Sequence, residues 1–208
     1  MADILKGTEF VEFQSMLEMH NDIGSYYDFV ATLAKSGENK LFFNSGPVKA
    51  AIVMSRIFHH AEETIRIYSG GFNGAISNDE EYLKQLQYFL QKPDTSLKIL
   101  VQEDYSCEPH CKIFSVLRKF SEKVIIHHTE SKVSMQSGNI SNHIHFTIGD
   151  KRMIRIETGI HNYTAQANFN DGENAKILID LFENKMVKGA AINLGQPANA
   201  LPEHSYSA

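Results

Sequence analysis

Short apolar segments with strand character alternate with amphipathic helical patterns along this sequence, and this alternation restricts the possible folds more than any other feature. The apolar segments TIRIYSGGF, SLKILVQED and KVIIHHT predict buried strands. SNDEEYLKQLQYFLQK, between the first two, predicts a helix because its leucines and phenylalanine recur on one face. Strands joined by helices pair in parallel through right-handed crossovers. The order therefore predicts an α/β protein with helices on both faces of a sheet.

A hairpin and two flanking regions complete this organisation. The segment HIHFTIGDKRMIRIE (residues 143–157) predicts two antiparallel strands that turn at Gly149-Asp150, so the sheet should be mixed, mainly parallel. Helical spacing before residue 36 predicts a short helical N-terminal extension over residues 1–40. The α/β domain should then span residues 41–189, and the aperiodic residues 190–208 predict an irregular C-terminal tail.

Composition limits the setting and the partners. A chain of 208 residues can bury one sizeable core, and it contains no apolar run long enough to span a bilayer. The N-terminus lacks a signal peptide, and two cysteines suit a reducing compartment, so we expect a cytoplasmic protein without membrane contact. A net charge of −5 argues against bulk electrostatic binding of long nucleic acid.

The hairpin concentrates polar residues on one face. Alternate side chains of a strand point the same way, so His143, His145 and Thr147 should share a face. Arg155 and Glu157 share a face of the return strand, and pairing across the turn should put them beside the histidines. The polar face is expected to line a cleft or to meet solvent.

The segment order and the hairpin together resemble one half of the phospholipase D superfamily, over about residues 48–188. In that family a strand carries a His-x-Lys pair, followed by an aspartate. His143 stands at the position of the family's histidine, His145 at that of the lysine, and Asp150 at that of the aspartate. The family's second strand leads into a Gly-Ser-x-Asn-Phe-like loop, for which AQANFND offers Asn168 and Phe169.

The resemblance implies cleavage of a phosphodiester by a histidine nucleophile, without a metal or other cofactor. His143 would be the nucleophile and His145 a phosphate ligand or proton carrier, with Glu157 orienting a histidine ring. Arg155, Asn168 and Asp150 would form the substrate-binding set, with Arg155 neutralising phosphate charge and Asn168 donating to a phosphoryl oxygen.

The same resemblance implies partners. Because the chemistry uses two histidines and the chain has one copy of the motif, a homodimer with both histidine pairs at its seam is expected. Its substrate would be a small or short phosphodiester, or nucleic acid. Loss of the lysine leaves an alternative, a catalytically inactive binding or assembly module with a protein partner, such as a subunit of a bacterial defence or mobile-element complex.

Three other interpretations of the polar residues stay open. The hairpin can be an ordinary half-exposed one, with Arg155 and Glu157 as a surface ion pair. CEPHC contributes Cys107, His110 and Cys111, residue types that bind zinc, although a helix N-terminus with ordinary polar residues explains them as well. The segment SGGFNG is either a plain turn or the rim of an anion site that includes Ser69, Gly70 and Asn73.

Overall fold

A computed structural model describes residues 22–72, 74–102, 111–137 and 140–194. Residues 1–21, which carry much of the predicted N-terminal helix, lie outside the described residues. So do residues 195–208 of the predicted tail, and Asn73, Cys107 and His110 of the candidate sites.

Helices and strands alternate in the order that the apolar segments predict. The helices are α1 Ile23–Ser36, α2 Pro47–His60, α3 Gly74–Ser77, α4 Glu80–Gln91, α5 Ile113–Lys119 and α6 Gly172–Met186, with a 3-10 turn at Ser121–Lys123. The strands are β1 Phe42–Asn44, β2 Thr64–Ser69, β3 Ser96–Val101, β4 Val124–His128, β5 Ser134–Ser137, β6 Ile140–His143, β7 His145–Gly149, β8 Met153–Gly159, β9 Thr164–Asn168 and β10 Ala190–Ala191.

Aspartate side chains begin three of the helices. Asp22 caps α1, and Asp171 caps α6. Asp79 caps α4 by accepting a hydrogen bond of 2.9 Å from the backbone N–H of Tyr82. A carboxylate at this position satisfies a backbone donor that the helix itself leaves unpaired.

Eight strands form one mixed sheet in the order β1-β9-β8-β7-β2-β3-β4-β10. The sheet flanked by helices confirms the predicted fold class. The pairs β2–β3 and β3–β4 are parallel, as the crossover helices require, and the other five pairs of this sheet are antiparallel. The antiparallel share is larger than the sequence predicted because β1, β9 and β10 also join the sheet.

Helices cover both faces of the sheet. Helices α1, α2, α4 and α5 pack on one face, around buried side chains such as Phe58, Phe89 and Leu117. Helix α6 covers the other face, where Phe146 and Ile156 of the hairpin contact the same cluster as Phe182. The alternating apolar residues of the hairpin therefore face α6, and its polar residues face the α2 side.

The predicted hairpin forms, with one difference at its start. Strand β7 pairs with β8 across the turn at Asp150, in a register that sets His145 opposite Glu157 and Thr147 opposite Arg155. The sequence predicted one strand beginning at His143. Instead, the strand breaks at Ile144, whose N–H donates to the carbonyl of Val133, and His143 ends β6 in a separate two-stranded sheet with β5.

The two regions outside the predicted α/β domain contribute described elements. Helix α1 buries Tyr26, Val30 and Leu33 in the same core as α2 and α4. Strand β10 pairs with β4 at the edge of the sheet. Among the helices of the described ranges, none is long and apolar enough to cross a membrane.

Candidate active site

A pocket of about 290 Å³ opens at the carboxyl end of β2, where β7 begins and β8 ends. The carboxyl ends of strands are a common place for ligand sites in α/β sheets. Its polar floor consists of His145, Thr147, Arg155 and Glu157. The rest of its wall comes from α2, the β2–α3 segment, α4 and the β8–β9 loop: Met54, Ile67, Tyr68, Ser69, Gly70, Gly71, Phe72, Ile76, Ser77, Tyr82, Phe146, Ile160 and Tyr163.

His145 is held by Glu157 and leaves one ring nitrogen for the pocket. Its Nδ1 lies 3.4 Å from Glu157 Oε2, and only 9% of the residue is exposed. Its buried Nε2 has no hydrogen-bond partner among the described residues. A carboxylate at Nδ1 fixes the tautomer that keeps the lone pair on Nε2. This arrangement prepares Nε2 to act as a nucleophile or base.

Arg155 is fixed by three contacts of its guanidinium. Nε donates to Asn44 Oδ1 at 3.1 Å, and Nη2 donates to Glu157 Oε1 at 3.2 Å and to the carbonyl of Tyr163 at 3.4 Å. Nη1 makes no hydrogen bond to the described residues, so it is available to an anion in the pocket. The ion pair with Glu157 is buried, which excludes the surface pair that the sequence allowed.

Asn44, on edge strand β1, is a positioning residue that the sequence analysis missed. It is fully buried, and its Nδ2 donates to the carbonyl of Tyr163 at 2.7 Å while its Oδ1 accepts from Arg155. Tyr163 has a backbone φ of 57°, which is rare for a bulky residue and needs such support. The only sequence signal for Asn44 is its position as an amide residue directly after the apolar run LFF.

Glu157 is ionised in this site at neutral pH. Burial by itself raises the pKa of its carboxyl, but the hydrogen bond from His145 and the charge and hydrogen bond of Arg155 bring the pKa below its ordinary value of 4.5. The negative charge of the Glu157 carboxylate and the positive charge of the Arg155 guanidinium therefore nearly cancel. The pocket holds little net charge when His145 is neutral.

His143 lies beside this site without forming part of the pocket wall. Its ring centroid is 5.2 Å from that of His145, with the rings nearly perpendicular. His143 ends β6 and His145 begins β7, and only Ile144 separates them. The two histidines thus meet, as the sequence predicted, although they belong to different strands.

Asp150 lies at the opposite end of β2 from the pocket. Its carboxylate accepts hydrogen bonds of 2.8–3.2 Å from the backbone N–H groups of Glu62, Glu63 and Thr64. With its lone pairs committed to the start of β2, this side chain anchors the hairpin turn to the sheet. The structure does not bring Asp150 to the other predicted substrate-binding residues.

Asn168 also lies away from the pocket. It sits near the end of β9, opposite Ile154 at the far end of β8 from Glu157. Its Nδ2 donates to Asn39 Oδ1 at 2.7 Å, and its Oδ1 accepts from the N–H of Asn170. These contacts tie the end of the sheet to the segment after α1.

The loop that reaches the pocket is Gly159–Tyr163, ahead of the segment that the sequence analysis selected. It matches the family pattern Gly-Ser-x-Asn-Phe at Gly159 and Asn162, with Tyr163 as the aromatic residue and Ile160 in place of serine. A Cβ at Gly159 would collide with the side chains of Asn162 and Thr164, so a larger residue there would displace Asn162. The full pattern including its glycine, rather than the Asn-Phe pair alone, is the signal that identifies this loop.

Two other candidate sites are partly described. Ser69 and Gly70 line the pocket, next to His145, which makes the glycine-rich segment part of its rim. Cys111 is buried, with Sγ 3.7 Å from the carbonyl of Phe72. Within the described part of the chain, no three histidine, cysteine or acidic side chains are grouped closely enough to hold a metal ion.

Comparison with solved structures identifies the fold. The chain superposes on Nuc from Salmonella typhimurium, a phospholipase D family member, with a TM-score of 0.52 and 14% identity, over 75% of this chain and 99% of Nuc. The fold is phospholipase D-like. At 14% identity the similarity establishes the phospholipase D-like fold and no activity, because proteins with unrelated activities can share a fold.

Two further solved structures are similar to parts of this phospholipase D-like chain. TrmBL2, an archaeal DNA-binding chromatin protein, gives a TM-score of 0.51 at 11% identity, over 87% of this chain and 66% of TrmBL2. Phosphatidylserine synthase from Haemophilus influenzae Rd KW20 gives 0.47 at 12% identity, over 74% of this chain and 39% of the enzyme. No protein-family model and no curated protein sequence matches the chain.

Proposed function

We propose that this chain is a divergent phospholipase D-like phosphodiesterase, nuclease-like in its chemistry, with His145 as the nucleophile. The contact between His145 Nδ1 and the Glu157 carboxylate carries the proposal, together with a buried Nε2 that has no partner among the described residues. The sequence pattern suggested His143 for this role. His145 suits it better because it lines the pocket and faces a carboxylate.

The proposed reaction has two steps. The Nε2 lone pair of His145 attacks phosphorus, and the bond from phosphorus to the leaving oxygen breaks with its electron pair on that oxygen. Protonated His143 lies beside the pocket, with its ring centroid 5.2 Å from that of His145, and supplies the proton to the leaving oxygen through one water. Water then attacks phosphorus and returns a proton to His143, and the electron pair of the phosphorus–nitrogen bond returns to His145.

Arg155 would stabilise charge on the phosphoryl group through Nη1. Its other nitrogens are held by Asn44, Glu157 and the Tyr163 carbonyl, so the guanidinium is oriented before a substrate arrives. A donor that needs no reorganisation gives the larger electrostatic benefit in the transition state. Arg155 thereby takes the place of the lysine that the family pattern has and this chain lacks.

A second candidate is a binding or assembly module without catalysis. The pairing of Arg155 with Glu157 favours it, since the pocket then offers a phosphate little net positive charge. Thr147, two residues after His145 on β7, supplies no charge either. In this case the pocket would bind a ligand, or the fold would serve a protein partner.

The test is hydrolysis of bis(4-nitrophenyl) phosphate and labelled single-stranded DNA in excess EDTA by the wild-type chain and His145→Asn. We expect EDTA-resistant release of nitrophenol that falls at least about 100-fold in the variant. The matched control is His127→Asn, because the His127 ring is hydrogen-bonded to the carbonyl of Met186, at the end of α6 and outside the pocket wall. Equal rates in wild type and His145→Asn, or no hydrolysis by either, would remove the catalytic proposal and leave the binding module.

A further inference from the structure

We infer that the pocket selects a small phosphate diester with one negative charge and an apolar, preferably aromatic, substituent, and that it discriminates against phosphomonoesters and against longer nucleic acid. The inference rests on the proposed phosphodiester site and names its substrate class. The charge of the polar floor, the apolar residues of the pocket wall and the size of the pocket support it independently.

The floor carries little net charge, so it admits one negative charge at Arg155 more readily than two. Arg155 is the only lysine or arginine among the described residues that line the pocket, and the ionised Glu157 carboxylate contacts it. A diester phosphate carries one negative charge, whereas a phosphomonoester carries nearly two at neutral pH. The second charge would lie near the Glu157 carboxylate, and the described pocket wall has no second lysine or arginine to balance it. Desolvating an unbalanced charge is costly, so the dianion is disfavoured.

The same argument applies to a nucleic acid strand. Binding along a strand requires clustered lysine and arginine side chains that replace counterions at successive phosphates. The described pocket wall offers Arg155 for one phosphate and only uncharged side chains or glutamate and histidine elsewhere. A single diester therefore matches the floor, and a chain of diesters does not.

Apolar side chains form part of the remaining pocket wall. We call Met54, Ile67, Phe72, Ile76 and Ile160 the apolar wall; all five line the pocket, and the Tyr82 ring lies among them. Met54, Ile67 and Tyr82 are buried, and Tyr82 has a pKa raised well above 10 by burial, so it stays uncharged. An ester substituent that contacts this surface gains binding energy in proportion to the apolar area it buries.

The size of the pocket limits what can occupy it. A volume of about 290 Å³ is at the small end of the range for ligand sites. It accommodates a phosphate with one or two small substituents. Ile67 of the apolar wall is paired with Thr147 of the polar floor, so a substituent on a phosphate held at the floor can contact apolar surface directly beside it.

Binding measurements separate charge from apolar contact. Calorimetry on the wild-type chain would compare diphenyl phosphate with dimethyl phosphate, phenyl phosphate and a ten-residue oligothymidylate, with phosphorus NMR confirming that each ligand stays intact. Dimethyl phosphate keeps the charge and removes the rings, whereas phenyl phosphate keeps a ring and adds charge. We expect diphenyl phosphate to bind at least about tenfold more tightly than each of the others.

A pair of variants assigns the preference to the pocket wall. Ile160→Lys adds a cation to the wall, and we expect it to tighten binding of phenyl phosphate and of the oligonucleotide by about tenfold relative to diphenyl phosphate. The matched control is His161→Lys, which adds the same charge to the same loop, at an exposed residue outside the pocket wall. We expect this control to keep the wild-type order.

The outcomes distinguish this inference from the proposed function. Equal or tighter binding of dimethyl phosphate, phenyl phosphate or the oligonucleotide overturns the inference, as does failure of every ligand to bind or an equal response of both lysine variants. Hydrolysis of bis(4-nitrophenyl) phosphate without the expected binding order leaves the catalytic proposal standing. The expected order without hydrolysis supports the ligand class and removes catalysis alone.

Discussion

At the scale of single residues, the site depends on a chain of contacts that runs from an edge strand to a histidine. Asn44 holds Arg155, Arg155 contacts Glu157, and Glu157 faces Nδ1 of His145. Each member is buried, so each polar group needs its neighbour to offset the loss of water. A buried network of this kind fixes side-chain orientation, which a half-exposed hairpin would not do.

Glu157→Gln tests the orienting carboxylate. The amide leaves His145 without an anionic partner, so we expect kcat on an aryl phosphodiester to fall by roughly 100-fold, with a smaller change in KM. Arg155 loses its ion pair, and we expect the free energy of unfolding to fall by about 3–5 kcal/mol in urea titrations.

Glu183→Gln is the matched control for that loss of stability. Glu183 binds Arg66 and Lys98 on the α6 side of the sheet, away from the pocket. We expect this variant to lose stability and to keep kcat. If both variants lose kcat in proportion to their stability, Glu157 has no orienting role.

Asp150→Ala separates structure from substrate binding. Its carboxylate serves three backbone N–H groups at the start of β2, so we expect the variant to lose about 1–3 kcal/mol of unfolding free energy with KM unchanged. Asp150→Asn keeps a residue type that tolerates the backbone φ of 55° and should lose less. A rise in KM with stability unchanged would instead return Asp150 to the substrate-binding set.

At the scale of elements, sequence periodicity predicts the strands and helices well where one apolar face dominates. Helix α4, with its single apolar stripe, and β2 and β3, with their apolar runs, follow directly from the pattern. The break at Ile144 does not, because it depends on pairing of β6 with β5 and on a hydrogen bond to Val133. Such tertiary contacts leave no local signature.

Helix α2 ends in a histidine that should make stability depend on pH. Burial lowers the pKa of His60 from 6.5 to about 4, assisted by the positive charges of His59, Arg56, Arg152 and Lys92. Between pH 6.5 and 4, His60 is therefore largely protonated in the unfolded chain and largely neutral in the folded chain. Stability must then fall as the pH drops through this window.

His60→Gln tests this linkage. Glutamine does not titrate, so we expect the urea midpoint of the variant to fall less than that of wild type between pH 6.5 and 4. Midpoints measured in steps of half a pH unit provide the comparison. Parallel pH profiles for the two proteins would contradict the assigned cause.

At the scale of the whole molecule, the sequence predicts the sheet more reliably than it predicts the site. The α/β alternation fixes β2, β3 and β4, and the hairpin fixes β7 and β8. Asn44 and the loop Gly159–Tyr163 join the site because β1 and β9 pair next to β8. The pairing of Asn44 with Ala165 joins residues far apart in sequence and cannot be deduced from local patterns. The loop is local, and Asn168 was predicted in its place because the Asn-Phe pair was matched without the glycine of the pattern.

The homodimer implied by the family resemblance stays a prediction, and two measurements test it. Sedimentation at micromolar concentration should give twice the chain mass of 23.5 kDa. Because the two rings meet within one chain, mixing His143→Asn with His145→Asn should restore no activity. Recovery of about a quarter of the wild-type rate would mean that the two histidines act across a dimer seam.

The central claim is that His145 attacks phosphorus, and the most direct measurement is detection of the resulting phosphorus–nitrogen bond. Wild-type protein would be mixed with bis(4-nitrophenyl) phosphate, quenched in alkali within the first turnover, digested and mapped by mass spectrometry. The proposed mechanism predicts a nitrophenyl phosphate adduct on His145 that is absent from His145→Asn. An adduct on another residue, or rapid turnover without any adduct, would contradict it.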